Sequence, residues 1–121
     1  MVRRPQIVDY LHAGLKAAAL RQSVIANNIA NFNTPQYRRA EVEFERRLAE
    51  AIATGRPVRV DEVPLEIVRP MNRPTDARGN DVDLETEVGE MVKNNALYKT
   101  YLRLLGRTYR QMELAIRGDQ L

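Results

Sequence analysis

Along the last third of the chain, Leu84, Val88, Met91, Asn95, Tyr98, Leu102, Leu105, Tyr109, Met112 and Ile116 recur at alternating steps of four and three. That spacing keeps side chains along one side of an α-helix packed against another helix. Only Asn95 interrupts the apolar seam, in the way a register-setting polar residue interrupts a coiled coil. A helix from Leu84 to Ile116 is about 50 Å long at ~1.5 Å per residue. In a chain of 121 residues so long a helix cannot curl into a compact globule, and it needs a partner of similar length. The ends agree: Asp81, Asp83, Glu85, Glu87 and Glu90 gather at the start, while Lys99, Arg103, Arg107, Arg110 and Arg117 follow, as the helix dipole favours. Asp83 is the expected N-cap and Gly118 the expected stop, giving a C-terminal helix over 83–117.

The partner is the N-terminal segment. Val8, Leu11, Leu15, Ala18, Gln22, Ile25, Ile29 and Phe32 step by three and four, Pro5 suits a first helical turn, and Asn33, Thr34 and Pro35 end the periodic run. The expected helix covers 5–32, and Ala13, Gly14, Ala17, Ala18 and Ala19 allow close approach of another helix. The fold expected is mainly α, with two long terminal helices in an antiparallel, coiled-coil-like pair. Leu97, Tyr101 and Leu104 add a second apolar row to one helix, as do Leu20 and Val24 to the other. Two helices cannot cover two stripes each, so the surplus is expected to meet neighbouring subunits.

Between the helices, over 33–80, the period is lost. Phe44, Leu48 and Ile52 suggest a short helix closed by Gly55. Beyond it Pro57, Pro64, Pro70 and Pro74 punctuate the chain, and Val58, Val60, Val63, Leu65 and Ile67 partly alternate, compatible with one or two short strands. This middle is expected to be irregular and to fold against its neighbours. The whole chain reads as a single domain over 1–121.

Composition narrows the function. There is no cysteine, which removes disulfides, thiolate catalysis and cysteine-ligated metal. The formal net charge of +3, from 19 basic and 16 acidic residues, is too small and dispersed to indicate nucleic acid. Arg38, Arg39, Arg46 and Arg47 alternate with Glu41, Glu43, Glu45 and Glu50, as on a mixed-charge helix face. Tyr98, Tyr101 and Tyr109 sit at helical spacing rather than on a stacking platform. His12 is the only histidine, so no zinc set can be completed, and the acidic run at Asp81 lacks the glycine of a calcium loop. No nucleophile, base and orienting group recur at a recognisable spacing. The chain is therefore expected to be no enzyme, with no cofactor, no metal, no small-molecule substrate and no nucleic acid. Periodicity alone still leaves a cytosolic helical adaptor or a nucleic-acid-binding protein open. Neither a membrane-length apolar run nor a signal-peptide core follows the basic start at Arg3 and Arg4.

Four of the seven residues from Asn27 to Asn33 are asparagine, although asparagine is a poor residue inside helices and serves best at ends and in specific hydrogen bonds. The run Ala26, Asn27, Asn28, Ile29, Ala30, Asn31, then Thr34, Pro35 and Tyr37 resembles the end of the first helix in the bacterial flagellar axial proteins. Farther on, Asn80, Val82, Asp83, Leu84, Glu85 and Glu87, followed by Lys93, Asn94 and Tyr98, are similar to the second signature of the FlgB-type proximal-rod subfamily. A FlgC-type rod subunit is the nearest alternative. The chain departs from the pattern at Val88, where methionine is common, and at Gln36, where glycine is frequent.

The resemblance implies a noncatalytic subunit of the flagellar basal-body rod, whose terminal helices pack with those of other rod and basal-body subunits in homo- and hetero-oligomeric assembly. It implies passage through the flagellar type III export apparatus without a cleaved signal peptide, and a final place in the rod spanning the periplasm. Asn27, Asn28, Ile29, Asn31, Thr34, Pro35 and Tyr37 are then expected to form a subunit-interface motif, with the seam from Leu84 to Ile116 as the packing surface.

Overall fold

A computed structural model describes residues 6–55 and 59–118, with Asp61 described through its backbone alone. In chain order the elements are helix α1 (Gln6–Ala30), strand β1 (Glu41–Glu43), helix α2 (Glu45–Ala53), a 3-10 turn (Val60–Glu62), strand β2 (Glu66–Val68) and helix α3 (Leu84–Gly118). Arg3, Arg4, Pro5, Pro57 and Val58 lie outside the described residues. The mainly helical class and the antiparallel pairing of two long terminal helices are as expected from the periodicity.

The pair is antiparallel because Val8 and Leu11, near the start of α1, pack with Leu105, Tyr101 and Met112 toward the end of α3. At the other end Asn28 meets Glu87. The contact is tight at Gly14, where a Cβ would lie 2.4 Å from the Tyr101 ring. No larger residue fits there without displacing the ring.

Helix α1 is the centre of the molecule, buried on two sides. One side takes α3, and the other takes the middle segment: Ala17 packs with Phe44 and Val60, and Val24 with Ala40 and Val42. Contrary to expectation, then, the middle has a core of its own against α1 within a single chain. Helix α2 forms where Phe44, Leu48 and Ile52 placed it, and Gly55 follows it at φ +72°, a left-handed conformation that glycine adopts without penalty. Phe44 is buried at its entry and Ile52 is exposed.

The strands differ from the expected ones. β1 pairs antiparallel with β2, Val42 opposite Ile67, so half of the sheet comes from a charged segment before α2 that carries no strand signal. Val60, which the alternation placed in a strand, instead turns inward in the 3-10 turn and fills the space beside Phe44.

Candidate assembly site at the junction of the two motifs

The asparagine run and the Asn80–Glu87 stretch are far apart in the chain and meet at the open end of the helix pair. Asn28 is the hub and is fully buried. Its amide nitrogen donates to the Ala40 carbonyl at 2.9 Å and to the Glu87 carboxylate at 3.2 Å. Its oxygen accepts from the Ala40 N–H and the Tyr37 hydroxyl, each at 3.0 Å. An asparagine side chain has two donors and two acceptor positions, and all four are used. One side chain thus ties α1 to the incoming β1, to Tyr37 and to α3.

Charge surrounds this hub. Arg39 is buried, and its Nε donates to Glu87 at 2.5 Å while Nη1 pairs with Glu41. Burial opposes the charge on Arg39, but the Glu87 and Glu41 carboxylates outweigh it and hold the guanidinium above its ordinary value. The backbone N–H of Arg39 donates to Asp81 at 2.6 Å. The second Asp81 oxygen lies 3.1 Å from Arg38 Nε, close enough for charge pairing though without hydrogen-bond alignment. Arg69 stacks its guanidinium 5.1 Å from the centre of the Tyr37 ring, within cation–π range.

The last turn of α1 is closed by the remaining motif residues. Asn31 donates to the Asn27 carbonyl at 2.8 Å and accepts from Thr34 at 3.0 Å. Asn80 reaches across from the second motif and donates to the carbonyls of Asn31 and Thr34, at 2.9 and 2.8 Å. Both carbonyls lie in the turn beyond α1 and also accept backbone N–H groups, from Thr34 and Tyr37, so Asn80 ties that turn to the second motif. Pro35 and Gln36 carry the chain round the corner, Gln36 at φ +61°, which explains why glycine suits this position. A second turn opposite is held by Asp76, whose carboxyl sits below its usual range because the Asn80 N–H, and then Arg78, bond its charged form.

Farther along α3, Asn94 makes a second clamp. It donates to the Ala18 carbonyl at 2.8 Å and to Gln22 at 3.0 Å, and accepts from Arg21, which also pairs with Glu45. His12 and Tyr109 close the far end at 3.0 Å.

Of the seam residues, Leu105 is buried, Met112 packs with it, and Met91 and Tyr98 are half-buried. Leu84, Val88, Asn95, Leu102, Tyr109 and Ile116 are exposed. The stripe that meets α1 instead interleaves Glu87, Asn94 and Tyr101 with those four. It is turned by about 50° from the apolar seam at ~100° per residue. Thus Asn94, not the neighbouring Asn95, bonds the partner helix. Asn27 is exposed, Ile29 and Tyr37 are half-buried, and Thr34 and Pro35 lie on the surface.

Glu87, Arg39, Asp81, Asn80 and Asn94 carry the junction although the sequence alone assigned them no site role. Asp81 and Glu87 look like ordinary helix-start charge and Arg39 like one member of a mixed-charge face. The available signal was the motif itself, in which Asn80, Glu87 and Asn94 all match. The other acidic residues are dispersed: Asp83 accepts from the Thr86 hydroxyl at 2.7 Å, and Glu85 faces solvent. Arg46 and Arg47 pair with Glu43, Glu50 and Glu66.

Residues 12–38, which run from the His12 contact through the Asn28 hub, match the family described as "Flagella basal body rod protein". The chain is 30% identical to the flagellar basal body rod protein FlgB of Borrelia hermsii, with 91% of this chain and 95% of that protein covered. The chain belongs to the FlgB family. FlgB of Cereibacter sphaeroides is likewise 30% identical over 92% of this chain and 96% of its own. FlgB of Bacillus subtilis is 24% identical over 93% and 95%. The likeness to FlgB thus extends over nearly the whole chain, and the FlgC-type, adaptor and nucleic-acid alternatives are not favoured.

Proposed function

We propose that this FlgB-family protein is a structural subunit of the proximal part of the flagellar rod, built into a tube by packing of its terminal helices against other rod and basal-body subunits. The observation that carries the reading is the one-sidedness of α3. Its single buried apolar residue is Leu105, whereas Leu84, Val88, Val92, Leu102, Leu104, Tyr109, Leu114 and Ile116 are all 40% exposed or more. Exposed apolar surface of that extent, spread over the sides of α3 turned away from α1, is more than an isolated subunit ordinarily leaves in water. The junction at Asn28 acts here as an internal brace, holding the helix pair in one register so that the exposed side of α3 is presented as a rigid surface. Asn27, Ile29, Asn31, Thr34, Pro35 and Tyr37, at the accessible end of that brace, contribute contacts to the adjoining subunit. The subunit leaves the cytoplasm through the flagellar type III export apparatus with its N-terminus intact, and resides in the rod where it crosses the periplasm. Among the described residues no helix is long and apolar enough to cross a membrane.

Deleting the gene tests the reading. Loss of swimming and of rods, both restored by the unaltered gene, is the expected result; swimming cells with complete basal bodies overturn it. Mass spectrometry of the subunit in isolated basal bodies checks export, since a shortened N-terminus contradicts passage without cleavage.

A further inference from the structure

A cleft of about 440 Å³ opens where α3 leaves the middle segment. Val24, Ile25, Val42 and Leu97 give it an apolar floor. Arg73 and Lys93 stand on its rim. Most charges around it are already matched: Arg39 by Glu87 and Glu41, and Arg21 by Glu45. Among the described residues Arg73 and Lys93 have no acidic partner, and Glu90 is the one rim carboxylate without a cation. The cleft therefore suits an apolar ridge flanked by negative charge.

The first turns of α3 carry such a ridge. Leu84, Val88 and Val92 are 40%, 47% and 66% exposed, and Glu85 beside them has no partner among the described residues. Within one molecule this ridge cannot reach the cleft. At ~100° per residue, Leu84, Val88 and Val92 lie roughly 170° around the helix from Glu90, Lys93 and Leu97. Ridge and cleft thus occupy opposite flanks of the same stretch of α3. A contact between them joins two different patches, and a contact of that kind propagates from copy to copy instead of closing on a pair.

We infer that the Leu84, Val88 and Val92 ridge of one copy seats in the Arg73 and Lys93 cleft of a second copy, with Glu85 facing Lys93. The inference rests on the rod reading and names the surfaces through which neighbouring copies join.

The chain has no cysteine, so introduced thiols are unique reporters. Cells are made to produce E85C and K93C variants together. Basal bodies are isolated, treated with a short bismaleimide, and the linked peptides identified by mass spectrometry. Cross-links joining the E85C peptide to the K93C peptide, at least several-fold above either like-with-like product, are expected. L84C with R73C is the second pair, used if the first does not incorporate. Incorporated subunits that link only like with like, or that link the K93C thiol to a different protein, overturn the inference and leave the rod reading standing. Absence of both pairs and of the unaltered chain from basal bodies overturns the rod reading, and the inference falls with it.

Discussion

The two long helices come from similar periodic sequence and end in opposite circumstances. Helix α1 buries Val8, Leu11, Gly14, Ala17, Ala18, Val24, Ile25 and Asn28, covering most of its length on two sides. Helix α3 is longer by ten residues yet buries Glu87, Asn94 and Leu105. One helix is core. The other is docked on it through polar clamps and a short apolar patch, with most of its hydrophobic side chains left facing out. A heptad pattern therefore records how much apolar surface a helix must eventually cover, without recording whether its own chain or another covers it.

The sharpest way to break this contrast is at the clamp. Replacing Arg39 by methionine strands the buried Glu87 carboxylate, and leaving an unpaired buried charge costs about 3–5 kcal/mol. Urea denaturation of the purified chain should show that loss, and pairing R39M with E87M should recover much of it. Recovery would mean that the ion pair sets position more than it adds stability.

Next comes a matched pair of apolar truncations. Leu11→Ala should destabilise the isolated chain by about 2–4 kcal/mol, since a buried leucine leaves a cavity. Leu102→Ala, on the exposed stripe, should change it by less than ~0.5 kcal/mol while impairing rod assembly in cells. Equal effects of the two on the isolated chain would erase the distinction between the helices.

Gly14→Ala tests the tight contact between them at Tyr101. Overpacking against Tyr101 should cost about 1–3 kcal/mol, read as a lowered denaturation midpoint. An unchanged midpoint would show that α3 gives way easily, and that the docked helix is looser than the contact implies.

The smallest effect is a gain. Gln36→Gly relieves a left-handed residue at the corner beyond α1, and should add up to ~1 kcal/mol. A loss there would mean that the Gln36 side chain, not its backbone, holds the turn.

How much was legible follows from the same contrast. Apolar spacing located both helices, because each stripe persists for many turns and little else produces that pattern. The side of α3 that meets α1 was not legible, since the apolar seam through Val88, Leu102 and Tyr109 is richer than the stripe through Glu87, Asn94 and Tyr101. Periodicity follows hydrophobicity, and here the intramolecular contact is chosen by hydrogen bonds. The β1 strand was hidden for a related reason: Glu41, Val42 and Glu43 are too few and too charged to signal a strand, and only pairing with Ile67 makes them one. Arg39 and Glu87 lie 48 residues apart, a pairing that no local pattern discloses. The asparagine run and the Asn80 motif were visible as motifs, whereas their meeting at Asn28 was not.

The clamp at Asn94 has a mechanical consequence. Aliphatic knobs hold register through shape alone, with no directional bond along the helix axis. The Asn94 amide instead grips a backbone carbonyl of α1 at Ala18, and Glu87 grips Arg39 and Asn28 at the other end. A slip of one residue, ~1.5 Å along the axis, would break both grips together. Two polar keys set seven residues apart on α3 therefore resist shear as well as separation, and in a rotating shaft they would let the helix pair bear load as one beam.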